Sequence, residues 1–433
     1  MKEKIIQKAS EMQNELVKMR RDFHRHAESA WTEFRTASIV AKQLESLGYK
    51  ILVGEEVNEG SAMMGVPSEE ALNKHMERAK AQGANVQYLD KMKGGKTGVV
   101  GILNTGKPGP VVGLRFDMDA NDLIESSDEK HRPKKEGFCS INDGAMHACG
   151  HDGHTAIGLG VAKLLMELKD EFSGTIKLIF QPAEEGVRGA ASMIKVADDV
   201  NYILGLHLGT SAKENGQIIC GTTGFLATSK LDAHFKGVPA HAGAKPEEGK
   251  SALLAAAAAT MSLQGIYRHS AGASRINIGV LQAGTGRNVV PDRAVIKIET
   301  RGVTSEIDDF VKKEAIRMIH ASAAMYDVEV KIEEAGGAKA GVSDEEMIKL
   351  ARETAEDSGL FTKITDTASL GGSEDYTYLM DRVQKNGGKA NYFMVGTNLS
   401  AGHHDSRFDF DEQVLSKAVA LTLMMVYRLA GKK

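Results

Sequence analysis

Long apolar runs are missing from this chain. Its most hydrophobic stretch, SALLAAAAATMSL, is too short and too rich in alanine to cross a bilayer. The opening segment, MKEKIIQKASEMQ, has no continuous apolar core of the kind a secretory signal carries. Cysteine is scarce: Cys139, Cys149 and Cys220 are an odd, sparse set in 433 residues, which excludes a disulfide framework. Charge of one sign is not in excess either. The 54 basic and 58 acidic side chains leave a net charge of −4, no electrostatic footprint for nucleic acid or an anionic membrane. Internal repeats are absent, and the one biased tract is an alanine run inside a helix-like segment. The expectation is a cytoplasmic protein that handles a small molecule.

What is present reads as two domains, as the length suggests. Residues 2–47 carry Leu16, Met19, Phe23, Ile39, Leu44 and Leu47 at helical spacing, and Gly48 closes the run. Residues 58–95 are polar, with a helix-like stretch EEALNKHMERAKAQG, and read as a surface insertion. The runs KTGVVGIL, GPVVGLRF, TIKLIF and YILGLHL alternate with helical segments, the texture of α/β units around a buried sheet. From about Ser229 the order becomes strand, Ala-rich helix (251–268), two strands, helix (304–325) and strand. That βαββαβ order is a ferredoxin-like unit. The expected domains are therefore 1–225 with 338–433, and an inserted 226–337.

Chemistry-bearing residues cluster just after strands. HACGHDGH at 147–154 packs thiol, imidazole and carboxylate groups ahead of a helix, a donor set that suits Zn, Mn, Fe or Co. The plainer alternative is a structural cysteine among surface histidines. QPAEEG at 181–186 puts adjacent acids at a strand's C-terminal end, where α/β folds place their sites. One acid can hold an ion while its neighbour takes a proton from water. An acidic pair at a helix start is the bland reading. His207 lies in an apolar strand, and His403 or His404 precedes an acidic helix start. Singly each is unremarkable. Together they recur after strands in four separated segments, which is how ligands gather from distant sequence.

Nine ordered segments, RRDFHRHAES, LRFDMDA, MHACGHDGHTA, QPAEEG, GLHLG, AHAGAKPEEGKSALLAAA, GTGRNVVPD, GGSEDY and HHDSRFDFDE, resemble the aminoacylase and carboxypeptidase superfamily of di-metal amidohydrolases. Within it they are similar to the branch of hippurate and auxin-conjugate hydrolases. The insertion at 58–95 and the blocks HRPKKEGFCSINDGAMHACGHDGHTAIGLG and HSAGASRINIGVLQAGTGRNVVPD resemble a subgroup acting on p-aminobenzoyl-glutamate. The resemblance implies a mixed-sheet catalytic α/β domain with an inserted lid or dimerisation domain. It implies two divalent ions, Mn²⁺ or Zn²⁺, held by Cys149, His151, Glu185, His207 and His404, with Cys149 between them. His404 rather than His403 keeps the family's spacing to FDFDE.

Glu184 matches the general base, and Asp117 and Asp119 lie behind the site, Asp119 orienting a ligand. His241 matches a residue that steadies the oxyanion, often from a partner protomer. Asn288 matches a substrate-binding position, and Arg287 and Arg301 are candidates to clamp a substrate carboxylate or else form ordinary salt bridges. Where the family often has DMDALP this chain has DMDAND, in a loop expected to hold no ligand. The expected reaction is hydrolysis of an N-acyl amino acid, by a homodimer or beside a related second chain. The rivals are a cysteine hydrolase built on Cys149 and an inactive metal-binding protein, the intact Glu184 weighing against the second.

Overall fold

The β-branched runs form the centre of a sheet that is buried on both faces. The computed structural model describes residues 1–432. Its strands are β1 (Lys50–Val53), β2 (Val99–Asn104), β3 (Val111–Asp117), β4 (Thr175–Gln181), β5 (Tyr202–Leu208), β6 (Gln217–Thr223), β7 (Ala227–Lys236), β8 (Ser274–Ala283), β9 (Arg293–Gly302), β10 (Glu329–Ala338), β11 (Lys363–Ser369) and β12 (Lys389–Val395). The helices are α1 (Lys2–Glu11), α2 (Gln13–Arg25), α3 (Phe34–Ser46), α4 (Glu69–Ala81), α5 (Val86–Leu89), α6 (Arg132–Glu136), α7 (His151–Glu167), α8 (Ala252–Leu263), α9 (Ser305–Met325), α10 (Glu345–Ser358), α11 (Thr377–Lys385) and α12 (Val414–Ala430). None of the described helices is long and apolar enough to cross a membrane.

Two compact units result. One comprises Met1–Thr223, Val342–Leu370 and the chain from Asp375 on; the other comprises Gly224–Gly341 and Gly371–Glu374. The boundaries differ from the expected ones by a few residues, and four of the six residues of GGSEDY change sides. The cause is local pairing: Leu226 N–H donates to the Gly372 carbonyl at 2.8 Å, and Ser373 Oγ donates to the Leu226 carbonyl at 2.8 Å.

The first unit is built on a mixed sheet of order β1-β2-β4-β3-β5-β12-β6-β11. β3 lies parallel to β4 and β5, and β5 to β12, so the exits of β3, β4 and β5 share one edge. α7 packs across these strands. Its approach requires Gly158, because a Cβ there would lie 2.7 Å from both Phe116 and Phe180. The close contact seats the first turn of α7, with His151 and His154, against the strand exits.

The second unit runs β7-α8-β8-β9-α9-β10 and forms an antiparallel sheet of order β10-β7-β9-β8. Alternate residues Leu231, Ala233 and Phe235 of β7, with Ile296 and Ile298 of β9, bury against Ala255 and Ala259 of α8 and Val311, Ala315 and Ile319 of α9.

Residues 58–95 depart from the surface insertion expected. Leu72, Met76 and Ala79 of α4, then Tyr88, Leu89 and Met92, are buried in the main core against α3. The charged side of α4 (Glu69, Glu70, Lys74, Glu77, Lys80) faces water and dominates the composition, which hides a three-residue apolar stripe.

Candidate metal centre

Three parallel strands deliver their C-terminal ends to the start of α7. At the exit of β3, Asp117 Oδ1 accepts from His154 Nδ1 at 2.6 Å and Oδ2 from Arg115 Nη1 at 2.5 Å. The Asp119 carbonyl accepts from His151 Nδ1 at 2.9 Å. That bond sets the His151 tautomer and leaves Nε2 bare; this atom is buried and has no hydrogen-bond partner among the described residues. Asp119 Oδ1 and Oδ2 accept the N–H groups of Glu184 and Glu185 at 2.9 and 2.8 Å.

At the exit of β4 the chain turns sharply. Ala183 (φ 54°) and Val187 (φ 58°) flank the acid pair in the left-handed region, which costs a residue with a Cβ about 1–2 kcal/mol. The turn brings Glu184 Oε2 to 3.8 Å from His151 Nε2. At the exit of β5, His207 Nδ1 donates to the Leu208 carbonyl at 2.8 Å and Nε2 lies 3.4 Å from Cys149 Sγ. Burial, then His154 and His403, push His207 well below its ordinary pKa, so its ring is neutral and its lone pair available.

The C-terminal loop supplies the last piece. His404, in the left-handed region (φ 64°), is anchored by its N–H to the Ala148 carbonyl at 2.8 Å. Its Nε2 lies 3.4 Å from Glu185 Oε1, an atom that otherwise has no hydrogen bond. His403 faces elsewhere, with Nε2 donating to the Leu208 carbonyl at 3.1 Å.

Ligand atoms gather within 4.8 Å of one another in overlapping triplets: Cys149, His151 and His207; Cys149, Glu185 and His404; His151, Glu184 and Glu185. Cys149 belongs to the first two. His154 stands as near but is spent, because Nδ1 donates to Asp117 while Nε2 accepts the Leu208 N–H at 2.9 Å. The donor set fits divalent cations: a thiol, imidazoles and carboxylates, with the His151 Nε2 that has no hydrogen bond aimed among them. Burial and the nearby Glu185 otherwise raise the Cys149 thiol well above its usual pKa, and a coordinated cation reverses that balance.

Sequence reading assigned no role to the frame behind this centre. Arg20, fully buried on α2, pairs with Asp152 (2.7 Å), Asp409 (2.9 Å) and Glu412 (3.2 Å). His24, one turn on, bridges Asp152 (2.8 Å) and Glu125 (3.0 Å). The frame ties the residue after His151 to the loop after His404. Its signal was RRDFHRHAES, legible as a family segment but not as a network. Asn121, in the DMDAND departure, also enters: Oδ1 accepts the Ala148 N–H at 3.1 Å, and against burial its side chain adds to His404 and His151 in holding the Glu185 carboxyl low. In a separate group of Glu125, His131 and Cys139, the Glu125 carboxyl is already engaged by His131, by His24 and by the Ser140 N–H.

The other expected site residues lie in the second unit. His241 is exposed, and Nδ1 accepts the N–H groups of Gly243 and Ala244 at 3.2 and 3.1 Å, leaving Nε2 as the N–H donor. Its loop is tied to the next by Ala242 N–H donating to the Asn288 carbonyl at 3.0 Å. Arg287 is exposed beside it. Glu299 on the same strand engages the Arg301 guanidinium at 2.7 Å, the ordinary salt bridge that stood beside the clamp as an alternative.

Cysteine, histidine and glutamate donors at the exits of a parallel α/β sheet, with a further carboxylate beside them and a βαββαβ unit interrupting the chain, define a metallopeptidase-type hydrolase. The profile of Peptidase family M20/M25/M40 matches residues 113–428; the chain belongs to that family and is an amidohydrolase. It is 51% identical over 403 residues to a p-aminobenzoyl-glutamate hydrolase subunit of Escherichia coli (strain K12), covering 92% of each chain. It is 50% identical over 408 residues to indole-3-acetyl-aspartic acid hydrolase of Enterobacter agglomerans, covering 94% of this chain and 93% of that one. Among solved structures it matches an aminobenzoyl-glutamate utilization protein from Klebsiella pneumoniae with a TM-score of 0.84 and 41% identity, covering 97% of each. A dinuclear metal binding peptidase of the M20 family from Bacillus subtilis matches with a TM-score of 0.63 and 26% identity, covering 97% of this chain and 99% of that one.

Proposed function

We propose that this enzyme hydrolyses the amide bond between an aromatic acyl group and an acidic amino acid, with p-aminobenzoyl-glutamate as substrate and p-aminobenzoate and glutamate as products. The observation that carries the reading is the pair of donor triplets sharing Cys149 with Glu184 at their edge. The substrate rests on two relatives of nearly equal identity whose named substrates differ in acyl group but both end in a dicarboxylic amino acid.

In this mechanism Cys149, His151, Glu185, His207 and His404 would hold two divalent ions, Mn²⁺ or Zn²⁺. Bound there, such ions would supply Lewis-acid polarisation of the amide carbonyl and a lowered pKa for water. Glu184, its backbone held by Asp119, takes a proton from the attacking water and returns it to the leaving amine nitrogen. His241 presents Nε2–H as the donor for the developing oxyanion, and Asn288 and Arg287 bind the substrate's carboxylate end. A dimer, as homodimer or with a related second chain, and a cytoplasmic location complete the reading. A broader N-acyl-amino-acid amidohydrolase remains the second reading, because identity to the two relatives does not select the acyl group.

The test is a hydrolysis panel on metal-stripped protein with each ion added back: p-aminobenzoyl-glutamate, p-aminobenzoyl-glycine, indole-3-acetyl-aspartate and hippurate. Strong, metal-dependent preference for the first over its glycine analogue is expected. Equal rates on all four would establish the broad reading, and activity that survives exhaustive chelation but not thiol alkylation would overturn the mechanism in favour of a cysteine hydrolase.

A further inference from the structure

Three consecutive amides in the turn after β4 are gripped by two buried carboxyls from distant parts of the chain. Glu184 and Glu185 donate to Asp119, as described. The N–H before them, on the left-handed Ala183, donates to Glu33 Oε1 at 2.9 Å. Glu33 belongs to the loop between α2 and α3 and is fully buried. Oε1 also accepts the Trp31 N–H at 3.0 Å, and Oε2 lies 2.7 Å from Thr97 Oγ1. Among the described residues no basic side chain pairs with it.

A carboxyl in such a place is costly to ionise. Burial, and then the Asp119 charge, push Glu33 up to about 8. The Thr97 hydroxyl donates to Glu33 Oε2 and lies 3.3 Å from the Gly95 carbonyl, so both carboxyl oxygens are engaged inside the fold. Oε1 remains a pure acceptor for the two amides.

We propose that Glu33 is a positioning residue whose buried carboxyl braces the strained 183–185 turn together with Asp119 and so aims Glu184 and Glu185. It acts through Ala183 and touches no reacting atom. The inference rests on the reading of Glu185 as a metal ligand and Glu184 as the base, so its test needs a readout independent of substrate.

Metal affinity of the stripped protein, measured by competition with a chromophoric chelator, is that readout; kcat and KM on p-aminobenzoyl-glutamate accompany it. Glu33→Gln keeps an oxygen for the two amides, its NH₂ can donate to Thr97 Oγ1 once that hydroxyl turns to the Gly95 carbonyl, and it should stay within about threefold of wild type in both measurements. Glu33→Ala should weaken metal binding by about tenfold or more and lower kcat with KM little changed, the expected result of losing a hydrogen-bonded brace. Should Glu33→Ala not fold, Thr97→Val, which removes only the hydroxyl that donates to Oε2, is expected to weaken metal binding about threefold to tenfold. Wild-type affinity and kcat in a folded Glu33→Ala or in Thr97→Val overturns the proposal, as does a Glu33→Gln variant damaged as badly as Glu33→Ala. If wild type binds metal but cleaves none of the panel, the functional reading fails while the affinity series still judges the brace.

Discussion

Replacing Arg20 by methionine separates the frame behind the metal centre from the centre itself. Methionine keeps the buried stem against Phe410, over whose ring the guanidinium sits at 4.4 Å, and removes only the charge. Three carboxylates then lose a cation, yet none is stripped bare. Asp152 keeps His24 at 2.8 Å, Asp409 keeps Arg132 at 2.5 Å, and Glu412 keeps Arg132 at 2.9 Å and Arg21 at 2.7 Å. Breaking a buried ion pair by removing one partner costs about 3–5 kcal/mol, and the remaining cations place this case near the lower end, about 3 kcal/mol.

The loss should depend on pH in a defined direction. Burial alone would raise these three carboxyls, but Arg20 for Asp152, Arg20 and Arg132 for Asp409, and Arg21 with Arg20 for Glu412 hold them below their ordinary values. Carboxylates depressed in the folded state stabilise it above the unfolded pKa of about 4, and that contribution disappears as pH falls through the folded values. The gap between wild type and Arg20→Met in urea denaturation should therefore be full at pH 7 and narrow below about pH 4. A variant within about 1 kcal/mol of wild type at pH 7, or a gap that widens in acid, would refute the argument.

Two further outcomes follow from the geometry. Glu184→Gln keeps the backbone bond to Asp119 and should keep metal affinity while kcat falls about 10²–10⁴-fold, read by single-turnover hydrolysis; undiminished turnover would remove Glu184 as the base. Gly158→Ala forces a methyl to within 2.7 Å of Phe116 and Phe180 and should cost about 1–3 kcal/mol in chemical denaturation, with weaker metal binding because the first turn of α7 is displaced; a neutral effect would mean that α7 yields without moving His151.

Much of the fold was legible because burial on both faces of a parallel sheet leaves a local mark. TIKLIF, YILGLHL and GPVVGLRF read as strands from their own composition, and the βαββαβ order of the second unit follows from periodicity alone. The segment 58–95 was misread for the converse reason: α4 buries only one narrow stripe, and its many charges outweigh Leu72, Met76 and Ala79 in any composition count.

The sequence by itself determined which residue types stand at each strand exit, because motifs such as HACGHDGH and QPAEEG are contiguous and the family's ordered segments survive in one dimension. Only the tertiary structure decided how they are shared. It turned His404 toward Glu185 and His403 toward a backbone carbonyl, consumed both nitrogens of His154, and made Cys149 common to two donor sets. It also brought Glu33 beside Ala183, and Arg20 between Asp152 and Glu412, across separations of 150 and 392 residues. Local preferences act over a turn or a strand. The direction of a lone pair, and the partner that has already claimed it, depend on chain crossings that no local pattern encodes.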